Sequence, residues 1–379
     1  MGETKKMKQR FRKGRDYWTI FLLFGILCSM INCFSFQSSA SSAFCKRVPN
    51  GVMATAVGRK VVITWELVTG ATKYQIFEAV GEGSFSLKKE TEKEKCILTG
   101  RKKGKEYRYY VRAVKEKNNQ KIIYGKASKE VSTTVPANGT STIKNFLNVA
   151  IAPVGSTMYV WGGGWNKADT GAGTDARRTG LSSAWRIFAK GKKASYNYQN
   201  YRYQIHNGLD CSGYVGWCVY NVLNTKNNQK GYVYSASNQA EKLSALGFGS
   251  YRSQVEKDYQ PGDIMSSTCS CCGHVWIVLG ECSDGSVVLL HSSPAGVQIS
   301  GTVTPEGKSN SKAIKLAKKY MKKYYPAWYK KYPNVERGLS YLSHYGQMRW
   351  KTTGDNVVLS DPDGYSKMSA EEVLKDLFK

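Results

Sequence analysis

Over residues 47–136 apolar and polar side chains alternate in short runs broken by turn residues: VVITWELV, ATKYQIFEA, KCILTG, EYRYYVRAVKE and ASKEVSTTV. A period of two marks half-buried strands, and their unbroken succession predicts a small all-β sandwich. The polar, turn-rich PANGTSTIK follows and predicts a linker over residues 137–144 that separates two modules. Beyond it the period lengthens. Helical spacing appears in STIKNFLNVAIAPVG, CSGYVGWCVYNVLN, SASNQAEKLSALG, KAIKLAKKYMKKYY and SAEEVLKDLFK, and strand patterns in GDIMSS, HVWIVLGE and SVVLLHSS. That order predicts an α+β domain over residues 145–379, with helices on one side of an antiparallel sheet, and hence a multidomain chain.

Residues 1–43 change the picture from domains to destination. A basic stretch precedes an apolar run over residues 17–36, and SSASSA follows. This predicts a signal peptide cut after Ala40 or Ala43, or an uncut membrane anchor, since the run approaches the roughly 20 residues that span a bilayer. The expected location is therefore outside the cell, with the membrane touched only through the N-terminal segment. Cys28, Cys33 and Cys45 lack a lipoprotein context.

Among 379 residues, 56 Lys and Arg face 28 Asp and Glu, a formal charge of +28 that points to anionic surroundings. The basic clusters at 5–15, 88–129 and 308–331 mostly lack interleaved aromatics, so anionic wall polymers are expected before nucleic acid. KLAKKYMKKYYPAWYKKY, residues 315–332, is the exception and a candidate binding strip. Beside Cys96, Cys211, Cys218 and Cys282, the cluster Cys269, Cys271 and Cys272 precedes His274. Its CxCC spacing is poor for tetrahedral zinc, so free thiols, or a local disulfide with Cys218 or Cys282, are the expectation.

The chemistry centres on GLDCSGYVGWCVYN, where a turn gives way to helical periodicity at Cys211. A thiol at a helix N-terminus is either a lowered-pKa nucleophile or a small buried cap residue. His274 opens a strand, where its ring can reach across a cleft and accept a thiol proton. His291 ends the next strand, and the turn CSDGS between them predicts that the imidazoles lie side by side. His206 and His344 read as surface residues. The glycine-rich GGGWNKADTGAGTD and GKS at Gly307 lack nucleotide-loop contexts, and DPDGYSKMSAEE reads as a turn before a helix capped by Ser369 and Glu372 rather than a calcium loop.

Two resemblances are carried by these residues. Trp65, Tyr74 and Tyr107 after a turn with Gly104 resemble a fibronectin type III module, which implies Trp65 in the core and Tyr107 closing a backbone corner; Arg101 departs from the apolar pattern. MYVWGGGW, LDCSGYVGW, QPGDIMSS, GHVWIVLG and VVLLHSSP, over most of residues 159–293, resemble the NlpC/P60 family of cell-wall cysteine peptidases. The resemblance implies a papain-like α+β domain with Cys211 as nucleophile, His274 as general base and His291 as third member. It further implies that Tyr159, Asp210 and Ser212 recognise the free amino end of a peptidoglycan stem peptide, cut between D-glutamate and the diamino acid, and that no metal or organic cofactor takes part. An insert at 166–207 and an extension after Gly301 depart from the family pattern. A non-catalytic wall adhesin, and an amidase or acyl transferase using the same thiol, are the rival expectations.

Overall fold

The sandwich is built from eight strands in two sheets. β1 (Met53–Val57), β2 (Lys60–Thr64) and β5 (Lys95–Leu98) form one sheet. The other joins β3 (Lys73–Val80), β4 (Ser86–Thr91), β6 (Glu106–Lys117), β7 (Lys121–Ala127) and β8 (Val131–Thr134) in the order β4-β3-β6-β7, with β8 also on β6. Their inner faces enclose Val61, Ile63, Ile76, Tyr109 and Val111. Trp65 is buried there, edge-on to Tyr74 at 5.3 Å. The Tyr107 hydroxyl accepts the Lys102 backbone N–H at 2.8 Å, closing the expected corner. Arg101 is explained by Glu78, which is buried on β3: it takes the Arg101 Nε–H at 2.6 Å and the Tyr109 hydroxyl at 2.9 Å. A buried carboxylate needs such partners.

The computed structural model describes residues 43–117, 121–137, 140–225, 229–254, 257–268 and 273–379. The export segment up to residue 42, its basic stretch, Cys28, Cys33, Cys269, Cys271 and Cys272 lie outside the described residues. Cys218 and Cys282 are free and buried, which removes them as disulfide partners for that cluster. No helix among the described residues is long and apolar enough to cross a membrane.

The expected linker is part of the second domain. Within it, β9 (Ser141–Thr142) pairs in parallel with β19 (Leu359–Ser360), and Thr142 caps the helix Ile143–Ile151. Asn145 on that helix exchanges hydrogen bonds with the Thr134 backbone, accepting at 2.9 Å and donating at 2.7 Å. Lys144 bridges Glu106 of the sandwich and Asp376 near the C-terminus at 3.2 and 3.1 Å. Met53 of β1 belongs to the second domain's core, and Arg186 pairs with Glu66. The two domains are therefore docked, not tethered.

The second domain is built on a nine-stranded sheet. Its central antiparallel run is β13 (Ile264–Ser267), β14 (Val275–Glu281), β15 (Val287–Ser293) and β16 (Gly296–Thr302). β10 (Met158–Tyr159) and β11 (Gly208–Leu209) extend it beyond β16; β18 (Tyr345–Trp350) and β12 (Gly249–Arg252) extend it beyond β13. Alternate residues of β14 divide between two cores. Val275, Ile277 and Leu279 join the core shared with the helix Cys211–Leu223, while Trp276 and Val278 pack with Tyr259, Leu342 and Tyr345. The sheet is thus covered on both faces, where helices on one side were expected, and the second cover comes partly from the C-terminal extension.

Aromatics of the candidate binding strip also anchor the extension. On the helices Lys312–Tyr324 and Pro326–Lys331, Tyr320 and Trp328 are buried, and Tyr324 packs on Phe378 at 4.6 Å. Those three aromatics hold the helices down. The final helix, Ala370–Leu377, carries the expected capping box of Ser369 and Glu372.

Candidate active site

Cys211 is the first residue of its helix because Asp210 stops the chain just before it. Asp210 is extended, and its Oδ1 accepts the Gly213 N–H at 2.7 Å, an N-cap bond. The same carboxylate takes the Ser212 hydroxyl at 2.9 Å and the Gly162 N–H at 3.1 Å. Glycines let the GGGW turn press against this helix start: a Cβ on Gly213 would collide with the Gly163 carbonyl, backbone against backbone. Gly213→Ala should therefore displace the thiol and cut activity about 100-fold, measured as kcat/KM, with the far-ultraviolet dichroism retained.

The sulfur is met by the backbone N–H groups of Val275, Ser212 and Cys211 itself. Val275 follows His274, so the strand that opens with the histidine lies against the thiol. β14 and β15 pair with Ile277 opposite Leu290. That register sets His274 two residues diagonal to His291 on the same side of the sheet, and His274 Nε2 meets His291 Nδ1 at 2.9 Å. His291 Nε2 lies 3.1 Å from Ser300 Oγ on β16. The expected meeting of His274 and His291 is thus present, and Cys211 lies against Val275, the residue after His274.

Burial, with Asp210 adjacent, pushes the Cys211 thiol up to about 12. Burial and then the Arg337 guanidinium bring His274 down to about 3, and His291 falls well below the ordinary imidazole range for the same reasons. The site therefore holds a neutral thiol and a neutral imidazole. From about pH 7 to about pH 9 kcat/KM should run flat: His274 gains a proton only far below that window and Cys211 loses one only above it. An inflection inside the window, read from a pH series at low substrate, would contradict this.

Tyr159, Asp210 and Ser212 also come together. Ser212 Oγ accepts the Trp165 indole N–H at 3.0 Å while donating to Asp210. Tyr159 is buried, and its hydroxyl is raised by that burial and by the nearby Cys211 and Asp210. Burial also raises Asp210 to about 6. Its capping bonds show the helix-end role directly. The insert forms a wall beside this trio: Tyr196 donates to the Tyr159 carbonyl at 2.6 Å, and Tyr198 stands edge-on to Tyr159 at 5.2 Å. His206 pairs with Asp175 at 2.5 Å, and His344 is exposed, bonded locally to Ser343.

Sequence reasoning missed the contribution of the extension. Arg337 on β17 (Glu336–Arg337) reaches His291, and Tyr341 sits 5.7 Å from the His274 ring and 6.1 Å from that of His291. No local pattern marks them, because β17 is two residues long and meets β16 only through the tertiary fold. Among the described residues no group of three or more His, Cys, Asp or Glu could hold a metal.

No protein-family model matches the chain. No curated protein matches it either. Solved structures with similarity are fibronectin type III domains over about a quarter of the chain. The sixth fibronectin type III domain of human fibronectin type III domain containing protein 3 is 16% identical, covering 24% of this chain and 86% of that one, at TM-score 0.21. The FN5 domain of Drosophila Lar is 17% identical over 24% of this chain and 97% of its own, at TM-score 0.21. The twitchin kinase region from C. elegans is 18% identical over 25% of this chain, at TM-score 0.22; this chain spans 18% of its length.

Proposed function

We propose that the chain is a bacterial cell-wall cysteine peptidase that cleaves peptidoglycan stem peptides, with the bond between D-glutamate and the diamino acid as its target. The observation carrying this reading is the contact of His274 Nε2 with His291 Nδ1 at 2.9 Å, at the entrance of a strand whose Val275 N–H meets the Cys211 sulfur at a helix start. In this reading the thiol gives its proton to His274 as sulfur attacks the amide carbonyl. The N–H groups that converge on the sulfur are suited to stabilise the oxyanion. His274 then protonates the leaving amine, and water releases the acyl group from sulfur. His291 holds His274 in orientation. Tyr159, Asp210 and Ser212 line the side where the peptide's amino end would sit, an ammonium group suiting the Asp210 carboxylate. No step calls for a metal or organic cofactor.

Digestion of purified sacculi followed by mass spectrometry tests the reading. Fragments with a new N-terminal diamino acid are expected. Cleavage at the lactoyl-alanine link would move the enzyme to the amidases, and intact sacculi that merely retain the protein would favour an adhesin.

A further inference from the structure

Arg337 is 9% exposed and carries its charge into the site without a carboxylate. Among the described residues the groups that favour its charge are the Tyr341 and Tyr345 hydroxyls, the Glu336 carbonyl and Asn334 Oδ1 at 3.4 Å, none of them a carboxylate, and burial lowers its basicity. A buried cation left in that state is costly, and an incoming anion would relieve the cost. Its Nε and Nη2 lie 3.2 and 3.0 Å from His291 Nε2, and Nη1 donates to the Glu336 carbonyl at 2.5 Å.

Those distances fix protons. A guanidinium can only donate, so His291 Nε2 must present its lone pair and the His291 proton sits on Nδ1. That proton points at His274 Nε2, 2.9 Å away, which must then be the acceptor. A neutral His274 consequently carries its own proton on Nδ1. With Nε2 engaged by His291, Nδ1 is the nitrogen left to serve Cys211, and it has no lone pair for the thiol's proton. In the empty site Arg337 holds the base in its non-basic tautomer.

We propose that Arg337 is a binding site for a substrate carboxylate, and that the carboxylate switches the thiol on by drawing the guanidinium away from His291. His291 then passes its Nδ1 proton to His274 Nε2 and takes one from water at Nε2, facing Ser300 Oγ at 3.1 Å. His274 releases its Nδ1 proton to water. Each ring keeps one proton, and His274 Nδ1 is bare towards the thiol. The proposal rests on the reading of His274 as the base of Cys211 and adds a requirement for the substrate. A glutamate joined through one carboxyl offers such a group, because its other carboxylate stays free beside the scissile amide; the planar guanidinium matches it in two parallel bonds.

The test is alkylation of Cys211 by the uncharged reagent iodoacetamide at neutral pH, followed by mass spectrometry of the full chain. N-acetyl-D-glutamate should accelerate the wild-type reaction about tenfold or more, whereas its uncharged diamide should leave it unchanged. Arg337→Met should react at the accelerated rate without ligand and ignore the carboxylate. Equal wild-type rates with carboxylate and diamide would overturn the proposal, as would an Arg337→Met protein as slow as wild type. The ligand response needs no variant, so it decides the matter even where Arg337→Met fails to fold. His274→Ala separates the two readings. Loss of the carboxylate-stimulated rate in that variant supports the base assignment on which the switch depends; a stimulated rate that survives without His274 removes that assignment, and the switch with it.

Discussion

Replacing Cys211 with alanine is expected to lower the release of peptide fragments from sacculi by about 10⁴-fold or more, leaving at most what binding alone contributes. The prediction is large because nothing near the helix start can replace the sulfur. Ser212 is the adjacent hydroxyl along the chain, and it already donates to Asp210 at 2.9 Å and accepts from Trp165 at 3.0 Å. Cys211→Ser should fare little better, since an alcohol gives up its proton far less readily than a thiol. The measurement is the rate of new amino groups in the supernatant, with dichroism and thermal melting as the folding check. Undiminished release by Cys211→Ala would sink the thiol mechanism outright.

The second large effect falls on His274. His274→Ala should reduce kcat by about 10²- to 10⁴-fold, the range a positioned general base and acid supplies. Because His274 is half-buried at a strand entrance, the vacancy would admit a small base. Added imidazole should restore part of the rate in the alanine variant and none of it in Cys211→Ala. Recovery in neither would identify His274 as a packing residue. His291→Ala should cost less, since it removes the orientation of the ring and not the proton acceptor.

How much of this was legible in the sequence depends on the range of the forces involved. The helix at Cys211 could be read because its cap, turn glycines and apolar periodicity all lie within one segment, and the strand from His274 because VWIVL is a short β-branched and aromatic run bounded by Gly273 and Gly280. The diagonal meeting of His274 and His291 followed from one short hairpin. The strands β1, β4, β7, β16 and β18 were harder. β4 is almost wholly exposed and carries no apolar period, whereas β16 is buried on both sides, so neither shows clean alternation. PANGTSTIK reads as a linker because its polarity is visible and its partner strand, some two hundred positions later at Leu359, is not. Arg337 was hidden for the same reason. A basic residue in a basic chain stands out only when folding leaves it without an anion.

The seam between the sandwich and the second domain has a consequence for cooperativity. Asn145 satisfies both hydrogen-bonding groups of Thr134, Lys144 joins acids from both domains, and Met53 crosses into the neighbouring core. Excising residues 47–136 would strip partners from Asn145 and open apolar surface beside the helix that carries Cys211. The sandwich therefore behaves as a structural wall of the domain that carries Cys211 and not as an interchangeable cassette, and the two should melt in one transition.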